Sequence, residues 1–265
     1  MLRTRLYLLL GVTLVTVGGV AFFVAVNGAY RERTNRATLP NGRQSSSERI
    51  TTPSIHNYKE VLARVEADRL RLASRFQKAS PTQQTKLLAE ARTLITKSIY
   101  DDLFPAWYGT GWDFNGTSEV PQQGKIACGY FVSTVLRDAG LKVERVRLAQ
   151  QASENIILSL TTDPFVKRFR RVPIGDFVNA VKESGPGIYI VGLDVHVGFI
   201  VNTGSDVYFV HSSYAEPYVV IKEKAIESEI LAGSKYRVLG NILADERLIN
   251  DWLAGKMIPT KSAQR

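Results

Sequence analysis

Two hydrophobic periodicities divide this chain. Tyr58, Val61, Leu62, Val65, Leu72 and Phe76 fall on one helical stripe with charges between them, which predicts a helix from Tyr58 to Lys78. Ser80-Pro-Thr-Gln83 restarts a helix: Ser80 as N-cap, Pro81 at the first helical position and Gln83 completing a capping box. Leu87, Leu88, Ala91, Leu94 and Ile95 then form its apolar face, so the pair reads as a helical hairpin packed on the main domain. Gly129 to Leu141 predicts a further helix, stopped at Gly140. Its face of Val132, Val135, Leu136 and Ala139 also carries Cys128, with Arg137 and Asp138 turned away. Helices are also expected near Ala149–Leu160 and Ile174–Ser184. After Gly185-Pro-Gly187 the period shortens to that of strands: Ile188–Leu193, Val195–Asn202, Val207–Ser212, Tyr218–Lys222 and Tyr236–Leu243. Ala225–Leu231 and Ala244–Leu253 read as short helices. Helices first and an antiparallel sheet afterwards give an α+β fold.

The amino terminus has a different character. Leu6 to Val26 run without a charge between Arg3 and Arg5 on one side and Arg31, Arg33, Arg36 and Arg43 on the other. A stretch of roughly 20 apolar residues is long enough to span a bilayer. Residues 1–30 therefore read as a membrane anchor, with a cleaved signal as the alternative. Arginines on both sides leave the orientation open. Residues 31–55, rich in Ser, Thr, Asn and Arg, read as a flexible linker. Residues 56–103 hold the helical hairpin, 104–256 the main domain and 257–265 a flexible tail.

The net charge of +9 suits anionic partners, but no nucleic-acid motif accompanies it, and no nucleic-acid partner is expected. Lys167-Arg-Phe-Arg-Arg171 reads as a solvated basic face, with binding of anionic lipid or substrate carboxylates as the alternative.

The chain has one cysteine, Cys128, and three histidines, His56, His196 and His211. A lone Cys is ordinarily a small buried hydrophobe. Here it stands at a helix start, where exposed N–H groups and the dipole lower a thiol's pKa. If Thr203-Gly204 forms a two-residue hairpin loop, His196 lies directly opposite His211, and a four-residue loop over 202–205 keeps that register. A three-residue loop would turn the rings to opposite faces. The set could work as nucleophile Cys128, base His196 and orienting His211, with the backbone N–H of Cys128 as one oxyanion donor. Cys and His are also zinc ligands, but separations of 68 and 15 residues match no compact metal motif, and no metal or cofactor is expected. The aromatic stretch Phe104, Trp107, Tyr108, Trp112 and Phe114 reads either as a cleft wall or as packing under a loop.

Three segments together resemble the NlpC/P60 family of papain-like cysteine hydrolases: Cys128-Gly-Tyr-Phe-Val132, His196-Val-Gly-Phe-Ile-Val201 and Phe209-Val-His-Ser-Ser213. The resemblance covers about residues 107–243. It implies a catalytic helix on an antiparallel sheet, catalysis by Cys128, His196 and His211, and a peptidoglycan or other acyl or peptide substrate. It offers Gln122 and Tyr108 as rival oxyanion residues, and Trp107, Trp112 and Gly129 as substrate contacts. Ala127 stands where the family usually has Asp. The expectation is a membrane-anchored amidase or peptidase with its catalytic domain outside the cytoplasm. The alternatives are a lipid acyltransferase or thioesterase, and a non-catalytic wall-binding or scaffolding module.

Overall fold

A computed structural model describes residues 55–262, with side chains from residue 58 onward. The expected membrane segment, most of the linker and the side chain of His56 lie outside the described residues. Among the described residues no helix is long and apolar enough to cross a membrane.

The fold is α+β. The hairpin forms as α1 (Ile55–Gln77) and α2 (Pro81–Lys97), and Gln83 Oε1 accepts the Ser80 backbone N–H at 2.9 Å. A π-helical turn, Ser98–Leu103, leads into the short α3 (Phe104–Trp107). Two minimal strands, β1 (Gly111–Trp112) and β2 (Lys125–Ile126), pair in parallel just ahead of α4 (Cys128–Asp138). Then come β3 (Lys142–Val143), α5 (Arg145–Ala149), α6 (Ser153–Leu160), β4 (Val166–Arg170) and α7 (Ile174–Glu183). The strand-rich half contains β5 (Gly187–Leu193), β6 (Val197–Asn202), β7 (Val207–Ser212) and β8 (Val220–Lys224). It ends with α8 (Glu229–Gly233), β9 (Tyr236–Gly240), α9 (Glu246–Ala254) and β10 (Met257–Ile258).

The main sheet is antiparallel, in the order β4-β9-β5-β6-β7-β8. Alternation sorts its side chains into two cores. Ile188, Ile190, Val197, Phe199, Val201 and Val210 pack with α1, α2, α4, α6 and α9. Tyr189, Val191, Ile200, Val207 and Phe209 pack on the other face with Phe177 and Val181 of α7 and Leu231 of α8. Because helices cover both faces, β5 and β6 read as near-continuous apolar runs. The sheet thus forms the middle of three layers.

One expectation is refined and two change. Lys167, Arg168, Arg170 and Arg171 are exposed, as expected of a solvated basic face, but 166–170 also form the edge strand β4, an element the charge run does not signal. There Arg168 pairs with Glu154 and Asp163, and Arg170 lies over the Tyr236 ring. A charge run hid the strand, because charged side chains are also what protects a sheet edge. The carboxy-terminal tail is anchored at its start, where β10 pairs with β3 and the Lys261 N–H donates to Ser159 Oγ. Asp138 does not face solvent; it is buried against the hairpin.

That last contact ties the hairpin to α4. Tyr58 Oη donates to Asp138 Oδ2 at 2.6 Å and accepts the Trp107 indole N–H at 3.0 Å. Arg69 adds a second tie, donating from within the α1 stripe to the Trp252 and Leu253 carbonyls at the end of α9. Tyr58→Phe leaves a buried indole donor and a buried carboxylate each short of a partner. The expected result is a loss of about 1–3 kcal/mol in urea unfolding, with the slope unchanged.

Candidate functional site

Cys128 is the first residue of α4, and Ala127 ahead of it is extended. Two contacts fix that helix start. Ser212 Oγ of β7 donates to the Ile126 carbonyl at 2.7 Å, tying the segment before the cysteine to the strand of His211. Gly129 lies under α5, where an added Cβ would fall 2.2 Å from the Ala149 carbonyl oxygen. A side chain at 129 would force the helix start away from α5, so this glycine serves close packing. It is buried and does not line a substrate surface.

His196 is held by a tight β5–β6 turn, in which the Leu193 N–H donates to the His196 carbonyl at 2.8 Å. The β6–β7 loop is Thr203–Asp206, closed by Thr203 N–H to the Asp206 carbonyl, and Asn202 pairs with Val207. This register is two residues away from the expected one. Extending it one step beyond Phe199↔Val210 places Gly198, not His196, opposite His211. A Cβ at Gly198 would lie 2.8 Å from the His211 Cβ and 2.7 Å from Phe209 Cε2. The missing side chain lets His211 lean diagonally toward His196. Both histidines still share one face of the sheet, that of Ile200 and Phe209.

The rings meet directly. His196 Nε2 and His211 Nδ1 are 2.9 Å apart, with the ring planes at 86°. His211 stacks on Phe209 at 3.9 Å between centroids. Beyond it, His211 Nε2 lies 3.2 Å from Glu223 Oε1 on β8, and the Ser228 hydroxyl bonds the same carboxylate. Tyr214 packs edge-on to His196 at 5.1 Å, and Trp112 links Tyr214 to the exposed Tyr218.

The thiol reaches the beginning of β6. Pairing between β6 and β7 stops at Phe199↔Val210, while β7 continues along β8 to Ser212↔Val220. The His196 carbonyl faces β5, so by alternation the Val197 N–H faces the β7 side, where no ladder partner continues. The Cys128 sulfur accepts that N–H. The sulfur is thereby brought to the residue adjoining His196.

Burial pushes the Cys128 thiol up, although the amides of Val197, Gly129 and Cys128 oppose it. This reverses the expectation of a helix terminus lowering it: the desolvation penalty on a thiolate outweighs the helix-start N–H groups. The residue keeps some solvent contact. Burial, followed by the neighbouring His211, holds His196 well below the ordinary imidazole value. Burial lowers His211 too, against the opposing Glu223. For Glu223 burial acts upward, but the hydrogen bonds from His211 and Ser228 win and lower it. The resting site is a neutral thiol beside two neutral imidazoles and one carboxylate.

The other expected residues scatter. Trp107 is wholly buried and bonded to Tyr58, so it belongs to the core rather than to a substrate wall. Trp112 is partly exposed within the aromatic group beside His196. Gln122 has a positive φ of 59°, and its side-chain amide donates to the Ala106 carbonyl at 3.3 Å. Tyr108 packs against the same core as Cys128, its hydroxyl pKa raised by burial and then by Tyr100. Glu223 and Tyr214 carry no sequence signal as site residues, and Ser212 falls inside the Phe209–Ser213 motif without a role of its own. Glu223 lies one residue beyond the expected strand Tyr218–Lys222, between Lys222 and Lys224.

No protein-family model, no curated protein and no solved structure matches this chain.

Both site histidines are depressed, so the unfolded chain binds their protons first as pH falls. The contribution of the two histidines to stability is fully present above about pH 7.5 and declines as pH falls through about 6.5, with a limiting slope of about 1.4 kcal/mol per pH unit for each histidine. Urea unfolding at pH 7 and pH 5.5 checks this. The drop should shrink in His196→Gln.

Proposed function

We propose that this chain is a papain-like cysteine hydrolase of NlpC/P60 type, anchored by residues 6–26 and cleaving amide bonds in cell-wall peptides outside the cytoplasm. The observation that carries the reading is the convergence of a helix-start thiol and a buried two-histidine pair on one end of β6. In this reading Cys128 transfers its proton to His196 as the sulfur attacks the substrate carbonyl. The resulting imidazolium protonates the leaving amine, and water, deprotonated by His196, hydrolyses the thioester. The neutral resting pair fits a thiol activated as substrate displaces water, rather than a standing ion pair.

A second reading, transfer or hydrolysis of a lipid acyl group by the same thiol, is favoured by the aromatic rim of Trp112, Tyr214 and Tyr218 beside His196. One experiment separates the two. Purified protein and Cys128→Ala are incubated with peptidoglycan and, in parallel, with phospholipid vesicles, and the products are read by mass spectrometry. The amidase reading expects new peptide fragments with the wild type alone. Fatty-acid release by the wild type alone would replace it with the second reading. Products from neither substrate would contradict both.

A further inference from the structure

Glu223 is left over from a Cys–His–His set, and the hydrogen-bond chain gives it a task. An ionised carboxylate has no proton to donate, so across the 3.2 Å contact it must accept, which places a hydrogen on His211 Nε2. A neutral imidazole carries one N–H, so His211 Nδ1 holds a lone pair. That atom lies 2.9 Å from His196 Nε2, which must therefore carry the hydrogen of that bond. The lone pair of His196 is left on Nδ1. His196 Nδ1 is a buried side-chain atom with no hydrogen-bond partner among the described residues.

We propose that Glu223 is a positioning residue that fixes the tautomers of both histidines through this chain, so that His196 Nδ1 is the base that takes the Cys128 proton. Without an acceptor at 223 the two rings have an alternative of equal hydrogen-bond count. His211 Nδ1–H would donate to His196 Nε2, and the hydrogen of His196 would stand on Nδ1, where it blocks the base. The carboxylate removes that degeneracy. Ser228, the N-cap of α8, bonds the same carboxylate and anchors it. In the transfer the S–H bond breaks and an N–H bond forms at Nδ1. The product is a thiolate and an imidazolium whose other N–H still points along the chain toward the Glu223 charge. The catalytic use of this base rests on the cysteine-hydrolase reading; the tautomers themselves do not.

The test is nitrogen-15 NMR of histidine-labelled protein at neutral pH, in a His56→Gln background that removes the third histidine. The wild-type site should show both rings protonated at Nε2 and bare at Nδ1. Glu223→Ala should lose the fixed pattern, and its Cys128 should react with iodoacetamide at least about tenfold more slowly. A hydrogen on Nδ1 of either ring in the wild-type site would overturn the proposal. So would a folded Glu223→Ala with the wild-type tautomers, whatever its reactivity. If Glu223→Ala does not fold, the wild-type spectrum still decides. These signals need no substrate, so a negative peptidoglycan assay leaves them untouched, and their failure leaves the hydrolase reading standing.

Discussion

The site depends on where β6 and β7 stop pairing. Up to Phe199↔Val210 the strands satisfy each other's backbone groups; one step further, the Val197 N–H would be an orphaned buried donor. The Cys128 sulfur takes the missing partner's place in the ladder. A buried amide without a partner is costly, so the same interaction that completes the sheet holds the thiol at the backbone of Val197, the residue after His196. Gly198 contributes by leaving room for His211 to lean across, and Ser212 by fastening β7 to the segment ahead of the cysteine. The motif residues flanking the histidines are therefore explained by packing and backbone satisfaction as much as by chemistry.

The electrostatics come from the same enclosure. A helix start favours a thiolate, but its advantage is limited to a few N–H groups, whereas burial acts on the whole charge. The histidines are shifted in the direction that keeps them neutral. Glu223 is the charge within the hydrogen-bonded chain, held by His211 and Ser228. An imidazolium formed at His196 is thus placed two hydrogen bonds from a carboxylate already in position, the kind of pre-set charge that stabilises a transient ion pair without reorganisation.

Much of this architecture is legible in the sequence. The stripe of α1 and the capping box of α2 follow from local spacing, and β7 begins and ends where alternation places it. The α+β class follows from the order of the two periodicities. Register is less legible, because Asn202-Thr-Gly-Ser-Asp206 is compatible with several loop lengths, and each changes which residue faces His211. The shared face survives because a shift of two residues preserves parity. Glu223 is hidden by its neighbours: Lys222 and Lys224 make it look like one charge in a solvated run, and only the pairing Phe209↔Glu223 reveals its place beside the histidines. Trp107 is hidden because the π-helical turn Ser98–Leu103 and the four-residue α3 that carry it in are too short and irregular for simple periodicity to show which side is buried. The segment expected to be an amino-terminal anchor, with its orientation, lies outside the described residues.

The central claim is that the Cys128 thiol and the His196 imidazole act as one unit at the end of β6. The most direct measurement is the alkylation rate of Cys128 at neutral pH in the wild type and in His196→Ala, with folding of both checked by circular dichroism. The account predicts a fall of about 10²-fold, the scale of a lost general base. Equal rates in two folded proteins would contradict it.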